Sequence, residues 1–385
     1  MKKKRVLFFV EKLYGGGVEK IARIILRNFD YERYDVTLYT LRKEELGELS
    51  AISCFRYGYV FDRLGDDDSS LLKAICKVRN KVKLLVYYHT PASVFASLFV
   101  RGRYDVAIAF IEGYATRIVS GLRTGIRKIA WIHIDLTSHH WTEVAYRSDN
   151  EEIEAYGKMS HTVCVSQRVL ETARQLLGIR QNVSSVLYNP IEVDRIVESS
   201  LQPARSYFGD TESLKIISLG TLTERKGYVR LIRAFNRMVG DGVNAELLIL
   251  GEGKQMAELK EVVDELGIKD RVHLPGFINN PYPYIRASDI YVCSSDAEGY
   301  NTAITESLIL GKAIVATDCC GVREQLGDDN DFGIRVPISE QGIYEGLKSL
   351  VDTSVRQHYA KAALSSVERF NLYSNMESIY RIIES

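Results

Sequence analysis

One segment of the chain reads Ser-Ser-Asp-Ala-Glu-Gly-Tyr-Asn-Thr-Ala-Ile-Thr-Glu-Ser-Leu-Ile-Leu-Gly over residues 294–311. The short apolar run before it, residues 290–293, predicts a buried strand, and the Ser, Asp and Gly residues that follow predict a tight loop. From Thr302 onward, apolar residues recur at helical spacing on one face, namely Ile304, Leu308 and Ile309. The segment is therefore predicted to form a strand, a polar loop and a helix.

Two carboxylates stand in this segment, Glu298 in the loop and Glu306 eight positions later in the predicted helix. The N–H groups at a helix start have no partner inside the helix and attract phosphate. A carboxylate accepts hydrogen bonds from the hydroxyl groups of a sugar or a ribose. The pattern therefore favours a site for a phosphorylated, hydroxyl-rich ligand. Taken alone, such a pair is more often a solvated loop residue and a helix-surface charge.

The residues after this segment add to the pattern. A second apolar run of strand length follows, and then another predicted loop and helix start at residues 320–324. The whole resembles the retaining glycosyltransferases of family 4, whose hallmark is two glutamates separated by seven residues, here Glu298 and Glu306. Gly299 and Gly311 also match. The resemblance implies the GT-B fold, an α/β architecture in which two Rossmann-like domains with doubly wound parallel sheets face each other across a cleft.

Length and composition agree with a two-domain globular protein. A chain of 385 residues is too long for one ordinary core. Its 46% hydrophobic and 26% charged residues are typical of soluble proteins, and no apolar run approaches the ~18 residues of a membrane span. The apolar run at residues 6–10 is too short for a signal-peptide core and is predicted to be the first strand. These features predict a cytoplasmic protein.

Charge and cysteine usage narrow the classes of partner. The formal net charge is zero, and residues 1–200 carry 30 Lys and Arg against 24 Asp and Glu, an excess too small to predict a nucleic-acid partner. The six cysteines show no C-x-x-C spacing, which favours buried thiols over disulfides or a zinc site.

Strand and helix patterns alternate twice along the chain, which predicts two parallel sheets. We expect a first, acceptor-side domain over residues 1–200 and a second, nucleotide-sugar domain over residues 201–369, with a polar linker at 198–213. The family resemblance places the passage between domains at the Asn189–Pro190 turn. It also implies that the final helix, about residues 370–385, packs back onto the first domain.

Three glycines, residues 15–17, separate the first strand from the first helix. Glycine lets the backbone approach a ligand closely, although a plain tight turn explains such a run about as well. The resemblance implies that Gly16 and Gly17 face the donor diphosphate and the acceptor.

A histidine ends a predicted strand in the first half, where residues 127–132 run out into His133. Open α/β sheets bind ligands at the carboxyl ends of their strands. The alternative is a histidine at the sheet rim that is satisfied by the protein itself. The resemblance implies that His133 contacts the donor sugar, whereas His139 and His140 receive no role.

A loop with two adjacent cations, Arg225 and Lys226, connects a strand to a helix in the second half and suits a diphosphate. The family pattern begins with Gly-Arg and ends with Lys-Gly. Gly220 and Lys226 match this pattern, but Thr221 stands where the family has arginine. Either Arg225 supplies the missing charge, or it faces solvent and Lys226 acts alone.

The resemblance also assigns the remaining donor contacts. Backbone groups around Phe277 and Ile278 would read the nucleobase, without indicating which base. The helix start with its flanking loop would hold the donor phosphates and sugar, which involves Gly299, Tyr300, Asn301 and Thr302.

A basic segment in the first half, residues 73–83, interleaves lysines with apolar residues. Such a helix lies either on a membrane surface or, more often, against the protein as an ordinary amphipathic helix. The acidic run before it, residues 66–68, suggests a metal site at first sight but is more often solvated.

These patterns and the resemblance together predict a retaining hexosyltransferase that moves a sugar from a UDP- or GDP-sugar to a sugar or lipid-linked saccharide in cell-surface polysaccharide synthesis. Lys226 and Arg225 would offset the charge of the leaving diphosphate without a metal or cofactor. Glu306 would hold the ribose, and Glu298 would hold the donor sugar. Two alternatives stay open: an epimerase or hydrolase of nucleotide sugars on the same fold, and a non-catalytic binding subunit.

Overall fold

The computed structural model describes residues 2–52, 55–63, 69–138, 140–209 and 212–385. Cys54, the acidic run at 66–68 and His139 lie outside the described residues. Of the described cysteines, Cys164, Cys293 and Cys319 are buried.

The chain divides into two units, one made of Met1–Pro190 and Tyr373–Ser385, the other of Ile191–Leu372. The division coincides with the Asn189–Pro190 turn and not with residue 200, where we expected the first domain to end. The reason is the helix Val193–Ser200, which packs against the helix Tyr282–Ala287 of the second unit. Asn280 reinforces this packing by donating to the Ser199 carbonyl at 3.0 Å.

Over the described residues the first unit contains seven parallel strands: β1 Lys4–Val10, β2 Tyr34–Arg42, β3 Phe55–Phe61, β4 Val106–Ala109, β5 Arg127–Ile132, β6 His161–Cys164 and β7 Ser184–Val186. They lie in the order β3-β2-β1-β4-β5-β6-β7, with Phe8 of β1 paired to Leu38 and Ile108 on either side. All three side chains are fully buried, because helices cover both faces of a parallel sheet.

Among the described residues up to Pro190, six α-helices lie between the strands: α1 Gly17–Arg27, α2 Ser70–His89, α3 Ala92–Phe99, α4 Tyr114–Ser120, α5 Asp149–Gly157 and α6 Gln167–Leu177. Serine side chains cap three of them, at Ser69, Ser148 and Ser166, each accepting from a backbone N–H in the first turn.

The second unit repeats the architecture, and its described part holds six parallel strands: β8 Leu214–Leu219, β9 Ala245–Leu250, β10 Val272–Gly276, β11 Ile290–Cys293, β12 Ala313–Thr317 and β13 Ile334–Val336. Their order is β10-β9-β8-β11-β12-β13. Strands β8 and β11 are neighbours, with Ile216 paired to Ile290, although β9 and β10 intervene in the sequence. The strand order therefore reverses between β8 and β11.

The helices of the second unit are α7 Val193–Ser200, α8 Tyr228–Gly240, α9 Met256–Glu265, α10 Tyr282–Ala287, α11 Thr302–Ile309, α12 Val322–Leu326, α13 Glu340–Ser349 and α14 Thr353–Ser365. Helix α11 differs from its sequence pattern, because residues 303–309 are all buried and not only one apolar face. It packs against β12, α7, α14 and the short turn of helix Ser366–Arg369, which together enclose it.

The final helix, α15 Leu372–Glu384, packs in the first unit. Its Tyr380 hydroxyl accepts from the Asp30 N–H at 2.8 Å and donates to the Asn28 carbonyl at 3.1 Å. Glu384 accepts from the Tyr34 hydroxyl at 2.7 Å and from Lys4 Nζ at 2.6 Å. These contacts tie the chain end to β1, β2 and the segment after α1.

Candidate functional site

The polar residues of the second unit gather where its strand order reverses. Strands β8 and β11 end at the same edge of the sheet, so the loop 220–227 that follows β8 meets the loop 294–301 that follows β11. Open α/β sheets bind ligands at this position, outside the carboxyl ends of the strands.

Gly227 brings the two loops into contact. Its φ of +64° is the left-handed conformation that glycine favours, and a Cβ there would lie 2.2 Å from the Ser294 carbonyl oxygen. Two hydrogen bonds fix the approach: Ser294 Oγ donates to the Lys226 carbonyl at 2.7 Å, and the Asp296 N–H donates to the Arg225 carbonyl at 2.7 Å. Any other residue at 227 would separate the loops.

Lys226 and Glu298 form a partly buried ion pair across these loops, with 2.6 Å between Nζ and Oε1. The same Oε1 accepts from Ser295 Oγ at 2.6 Å and from Asn301 Nδ2 at 3.2 Å. Glu298 is 7% exposed, so the interpretation of a solvated loop residue is wrong. Within the described residues, its other oxygen, Oε2, has one charged neighbour, Arg225 Nη1 at 3.8 Å.

Glu298 is ionised in this setting. Burial acts to raise the pKa of its carboxyl, but the charges of Lys226 and Arg225 and the hydrogen bonds from Lys226 and Ser295 outweigh burial, and the net pKa is lowered. A buried carboxylate is stable only while these partners remain, because an unpaired buried charge is expensive.

Arg225 lies on the same sheet edge. Its Nη1 donates to the Ala297 carbonyl at 2.5 Å, and its side chain is 31% exposed. The guanidinium is therefore held against the loop 294–301 and does not extend into solvent. Thr221, at the start of the loop 220–227 that also contains Arg225, is exposed. Whether Arg225 contacts a diphosphate stays a prediction.

Asn301 caps helix α11. Its Oδ1 accepts from the N–H groups of Ala303 and Ile304 at 2.9 and 3.3 Å, and its own N–H donates to Gln325 Oε1 at 3.1 Å. We expected these N–H groups to be free to bind a phosphate. That expectation is wrong for Ala303 and Ile304, because the Asn301 side chain accepts their hydrogen bonds. Thr302 is the first helical residue.

Glu306 is buried in the second turn of α11, with 3% of its surface exposed. It lies in the same helix that Asn301 caps, next to the fully buried Thr305 and Ser307. The interpretation of a helix-surface charge is therefore wrong. Its assignment to ribose hydroxyls stays a prediction.

Two further glycines allow close contacts at this edge, one with a backbone carbonyl and one with a side-chain hydroxyl. Gly321 has φ +78°, and a Cβ there would lie 2.1 Å from the Gly299 carbonyl oxygen. Gly220 has φ +153°, and a Cβ there would lie 2.9 Å from the Tyr228 hydroxyl. Tyr300, after Gly299, is 8% exposed. The loop 294–301 is thus enclosed by the backbone turn after β12.

The residues predicted to read a nucleobase follow β10, the outermost strand of this sheet. Phe277 is 63% exposed, and Ile278 is half-buried against the core. An exposed aromatic ring at the carboxyl end of a strand can stack on a flat ligand.

The first unit has a comparable reversal between β1 and β4, and its glycine loop and histidine lie at the corresponding strand ends. Gly16 precedes α1 in extended conformation, and Gly17 is the first residue of that helix. His133 follows β5; its Nε2–H donates to the Phe110 carbonyl at 3.0 Å, and its backbone N–H donates to Glu112 Oε2 at 2.9 Å. The ring is thus partly satisfied by the protein, and contact with a sugar stays a prediction.

Burial sets the ionisation of this edge. It lowers the pKa of His133 to about 3, so the imidazole is neutral with the proton on Nε2. Burial also raises the pKa of Glu112, and burial together with the charge of Glu112 raises the pKa of Glu11 to about 8. Glu11 accepts from the Tyr114 N–H at 3.2 Å.

Sequence reasoning missed three residues that shape these edges. Ser295 donates a hydrogen bond to Glu298, and Gln325 donates one to the Asn301 carbonyl. Glu112 accepts hydrogen bonds from the His133 backbone N–H and from the Trp141 indole N–H. Each of these residues acts through tertiary contacts, and no periodicity in the sequence indicates those contacts.

In the described part of the chain, none of the helices is long and apolar enough to cross a membrane. Its His, Cys, Asp and Glu residues form no group of three or more that could hold a metal ion.

Comparison with known proteins agrees with the architecture. Residues 205–364 match the family model described as Glycosyl transferases group 1. This segment falls within the second unit and includes both loops of the site, 220–227 and 294–301.

Two curated relatives are glycosyltransferases by name. The chain is 33% identical over 205 residues to the N-acetylgalactosamine-N,N'-diacetylbacillosaminyl-diphospho-undecaprenol 4-alpha-N-acetylgalactosaminyltransferase of Campylobacter jejuni, covering 52% of this chain and 54% of that protein. It is 30% identical over 148 residues to the lipopolysaccharide core biosynthesis glycosyltransferase LpsE of Rhizobium meliloti, covering 38% and 42%. The chain thus spans about half the length of the curated relatives it matches.

Solved structures match over the whole chain. Anabaena HepE in complex with UDP and glucose has a TM-score of 0.76 and 18% identity, covering 99% of both chains. WaaG, a glycosyltransferase involved in lipopolysaccharide biosynthesis, has a TM-score of 0.66 and 18% identity, covering 98% of this chain and 99% of its own. At these identities the likeness concerns the fold.

The two Rossmann-like units define a protein of the GT-B class, as the sequence predicted. Its residues 205–364, which contain the Lys226–Glu298 pair, match the model of the group 1 glycosyl transferases.

Proposed function

We propose that the chain is a retaining hexosyltransferase that moves a sugar from a nucleotide sugar to an acceptor hydroxyl. The observation that carries the proposal is the Lys226–Glu298 pair, 2.6 Å between Nζ and Oε1, at the point where the second sheet reverses its strand order. A paired lysine and carboxylate at this position offer a cation for phosphate and an acceptor for hydroxyl groups. The family match over the same residues supports this function.

The donor diphosphate would lie beside Lys226 and Arg225. An ammonium group has three donors, and the bond to Glu298 uses one, so Lys226 can bind a phosphate oxygen without leaving its partner. Glu298 Oε2 would accept from a hydroxyl of the donor sugar, and Glu306 would accept from the ribose. The UDP found with HepE supports a UDP-sugar, and a GDP-sugar fits the same groups.

In the reaction, the bond between the anomeric carbon and the phosphate oxygen breaks, and a bond to the acceptor oxygen forms on the same face. The acceptor proton passes to the leaving phosphate. Negative charge grows on that phosphate, and Lys226 and Arg225 stabilise it through preorganised contacts without a metal ion. The acceptor would be a sugar or a lipid-linked saccharide of the cell surface, as the names of the Campylobacter and Rhizobium relatives suggest.

Product analysis tests the proposal. The purified chain is incubated with UDP- and GDP-sugars, with and without undecaprenyl-diphosphate-linked saccharides, and the products are analysed by NMR for anomeric configuration. We expect transfer only with acceptor, retained configuration, and activity that survives EDTA. Lys226→Ala should abolish most transfer, whereas Lys260→Ala, an exposed lysine on α9, should not. Donor conversion without acceptor would indicate an epimerase or hydrolase, and binding without turnover would indicate a binding subunit; either result contradicts the proposal.

A further inference from the structure

Helix α2 presents its apolar side chains to solvent. Among its 20 residues, only Tyr87 is buried. Six large apolar residues are 46–70% exposed: Leu72 and a set of five made of Leu71, Ile75, Val78, Val82 and Leu85. Single exposed apolar residues are ordinary on a protein surface, but a continuous row on one helix marks an interaction surface.

The five residues form one stripe, called here the α2 stripe. Their spacing alternates between four and three positions, which places them on one face of a helix. The opposite face is polar and binds the protein: Asn80 Nδ2 donates to the Asp62 carbonyl at 2.8 Å, Lys83 Nζ donates to the Val60 carbonyl at 2.6 Å, and the Tyr87 hydroxyl donates to the Ala145 carbonyl at 2.7 Å. The helix is thus amphipathic with its apolar face outward, the reverse of an ordinary surface helix.

The charges of α2 are all of one sign. The helix contains five cations, Lys73, Lys77, Arg79, Lys81 and Lys83, and no Asp or Glu. At 100° per residue, Lys77 and Lys81 flank the α2 stripe on one side and Arg79 flanks it on the other, and all three are exposed residues. Arg79 also pairs with Asp62, with 3.7 Å between Nη2 and Oδ2. The next helix, α3, also has two exposed apolar residues, Val94 and Leu98.

We propose that the α2 stripe binds the surface of a bilayer that contains anionic lipids. The helix would lie parallel to the bilayer, with the stripe at the boundary between headgroups and acyl chains and with Lys77, Arg79 and Lys81 on the lipid phosphates. A helix of 20 residues is about 30 Å long and offers this contact along its whole length. Helix α2 is not apolar enough to cross the membrane, in agreement with an interfacial position.

The charge of α2 favours an anionic bilayer over a second copy of the chain as the partner of the α2 stripe. In a symmetric dimer through the α2 stripe, the cations of one helix would face the cations of the other without any acidic residue on either helix. Anionic lipids provide the complementary charge that a second copy lacks. This surface lies in the first unit and goes beyond the proposed transfer reaction, so its test requires no activity.

Vesicle co-sedimentation tests the proposal with the full chain. Vesicles of phosphatidylcholine mixed with phosphatidylglycerol are compared with vesicles of phosphatidylcholine alone. We expect binding to the anionic vesicles, little binding to the neutral ones, and weakening by salt because salt screens exposed charges. The triple variant Ile75→Ser/Val78→Ser/Val82→Ser should bind at least about tenfold more weakly, because the stripe supplies the apolar contact. The three replaced side chains are exposed, so the variant should keep its fold. Thermal unfolding of the variant and the parent checks this.

Two matched variants control for general effects. Val197→Ser/Leu201→Ser/Ile338→Ser changes three exposed apolar residues of the second unit and should leave vesicle binding unchanged. Lys77→Glu/Lys81→Glu should reduce binding to anionic vesicles, whereas Lys260→Glu/Lys361→Glu, with the same change of net charge elsewhere, should reduce it far less.

Any of three results would overturn the proposal. The first is that the parent chain does not bind anionic vesicles, and the second is that the stripe variant binds them as well as its control variant does. The third is that vesicle binding is absent and analytical ultracentrifugation shows the parent as a dimer but the stripe variant as a monomer. In the last case the α2 stripe would be an interface between copies of the chain.

Discussion

The two sheets reverse their strand order in the same way, but the residues at the two reversals differ in charge. In the second unit, Lys226 and Arg225 surround an ionised Glu298. In the first unit, burial keeps His133 neutral and raises the pKa of Glu11 and Glu112. One edge therefore carries two cations beside one carboxylate, whereas the other carries a neutral imidazole and two carboxyl groups whose pKa values are raised.

Under the proposed function, this difference would let one architecture take two kinds of ligand. The strands supply only the position, and the loops after them supply the chemistry. The edge with Lys226 and Arg225 would take the diphosphate, and the edge with the carboxyls and the neutral imidazole would take a ligand that carries hydroxyl groups. The following predictions test this contrast.

The largest effect is expected from removing the cation of the second edge. Lys226→Ala should reduce turnover by about 100-fold or more, the usual loss when one preorganised charge partner of a transition state is removed. It should also lower the melting temperature, because Glu298 is left buried without its ion pair. The double variant Lys226→Ala/Glu298→Gln should regain stability without regaining turnover. A double variant as active as the parent would show that the pair is only structural.

Glu306→Ala should weaken the binding of a free nucleoside diphosphate by about 1–3 kcal/mol, the cost of losing a charged hydrogen-bond partner. Calorimetric titration measures the affinity, with Glu324→Ala as a control on the neighbouring helix α12. Equal affinity in Glu306→Ala and the parent would exclude the ribose assignment.

Arg225→Ala should slow turnover roughly tenfold if its guanidinium contacts the leaving phosphate, since 1.36 kcal/mol in the barrier corresponds to a factor of ten. Thr221→Arg should then change little, because the charge is already present. Steady-state kinetics measure the turnover of both variants. Unchanged turnover in Arg225→Ala together with faster turnover in Thr221→Arg would show that Lys226 binds the diphosphate without Arg225.

Glu11→Gln should change the pH dependence of stability. A carboxyl whose pKa rises on folding, here to about 8, stabilises the fold fully below its unfolded pKa, and this contribution is lost as pH rises through 8. The parent should therefore lose stability between about pH 5 and pH 8 through this group, and the variant should not. Melting temperatures across this range measure the effect, which should be a few degrees. Parallel curves for variant and parent would contradict a protonated Glu11.

The sequence predicted much of this fold because buried parallel strands need apolar runs. The runs at 290–293 and 214–219 became β11 and β8. It did not indicate β13, which has only three residues, or β3, whose side chains are mostly half-buried. Short or edge strands bury too little to leave a clear pattern.

The site was predictable only in part. The family resemblance named Lys226 and Glu298, but their contact joins residues 72 positions apart and depends on β8 and β11 being neighbours. The role of Gln325 depends on the close passage of Gly321 over the Gly299 carbonyl, and the burial of Glu306 depends on the elements that enclose α11. Such tertiary contacts leave no trace in local spacing.

Calorimetric titration of UDP and GDP into the parent chain, Lys226→Ala and Glu11→Gln tests the contrast between the two edges most directly. If the diphosphate binds beside Lys226, one of the nucleotides binds the parent, Lys226→Ala binds it at least about tenfold more weakly, and Glu11→Gln binds it with unchanged affinity. Unchanged affinity in Lys226→Ala, with a loss in Glu11→Gln, would place the diphosphate at the first edge and contradict its assignment to Lys226.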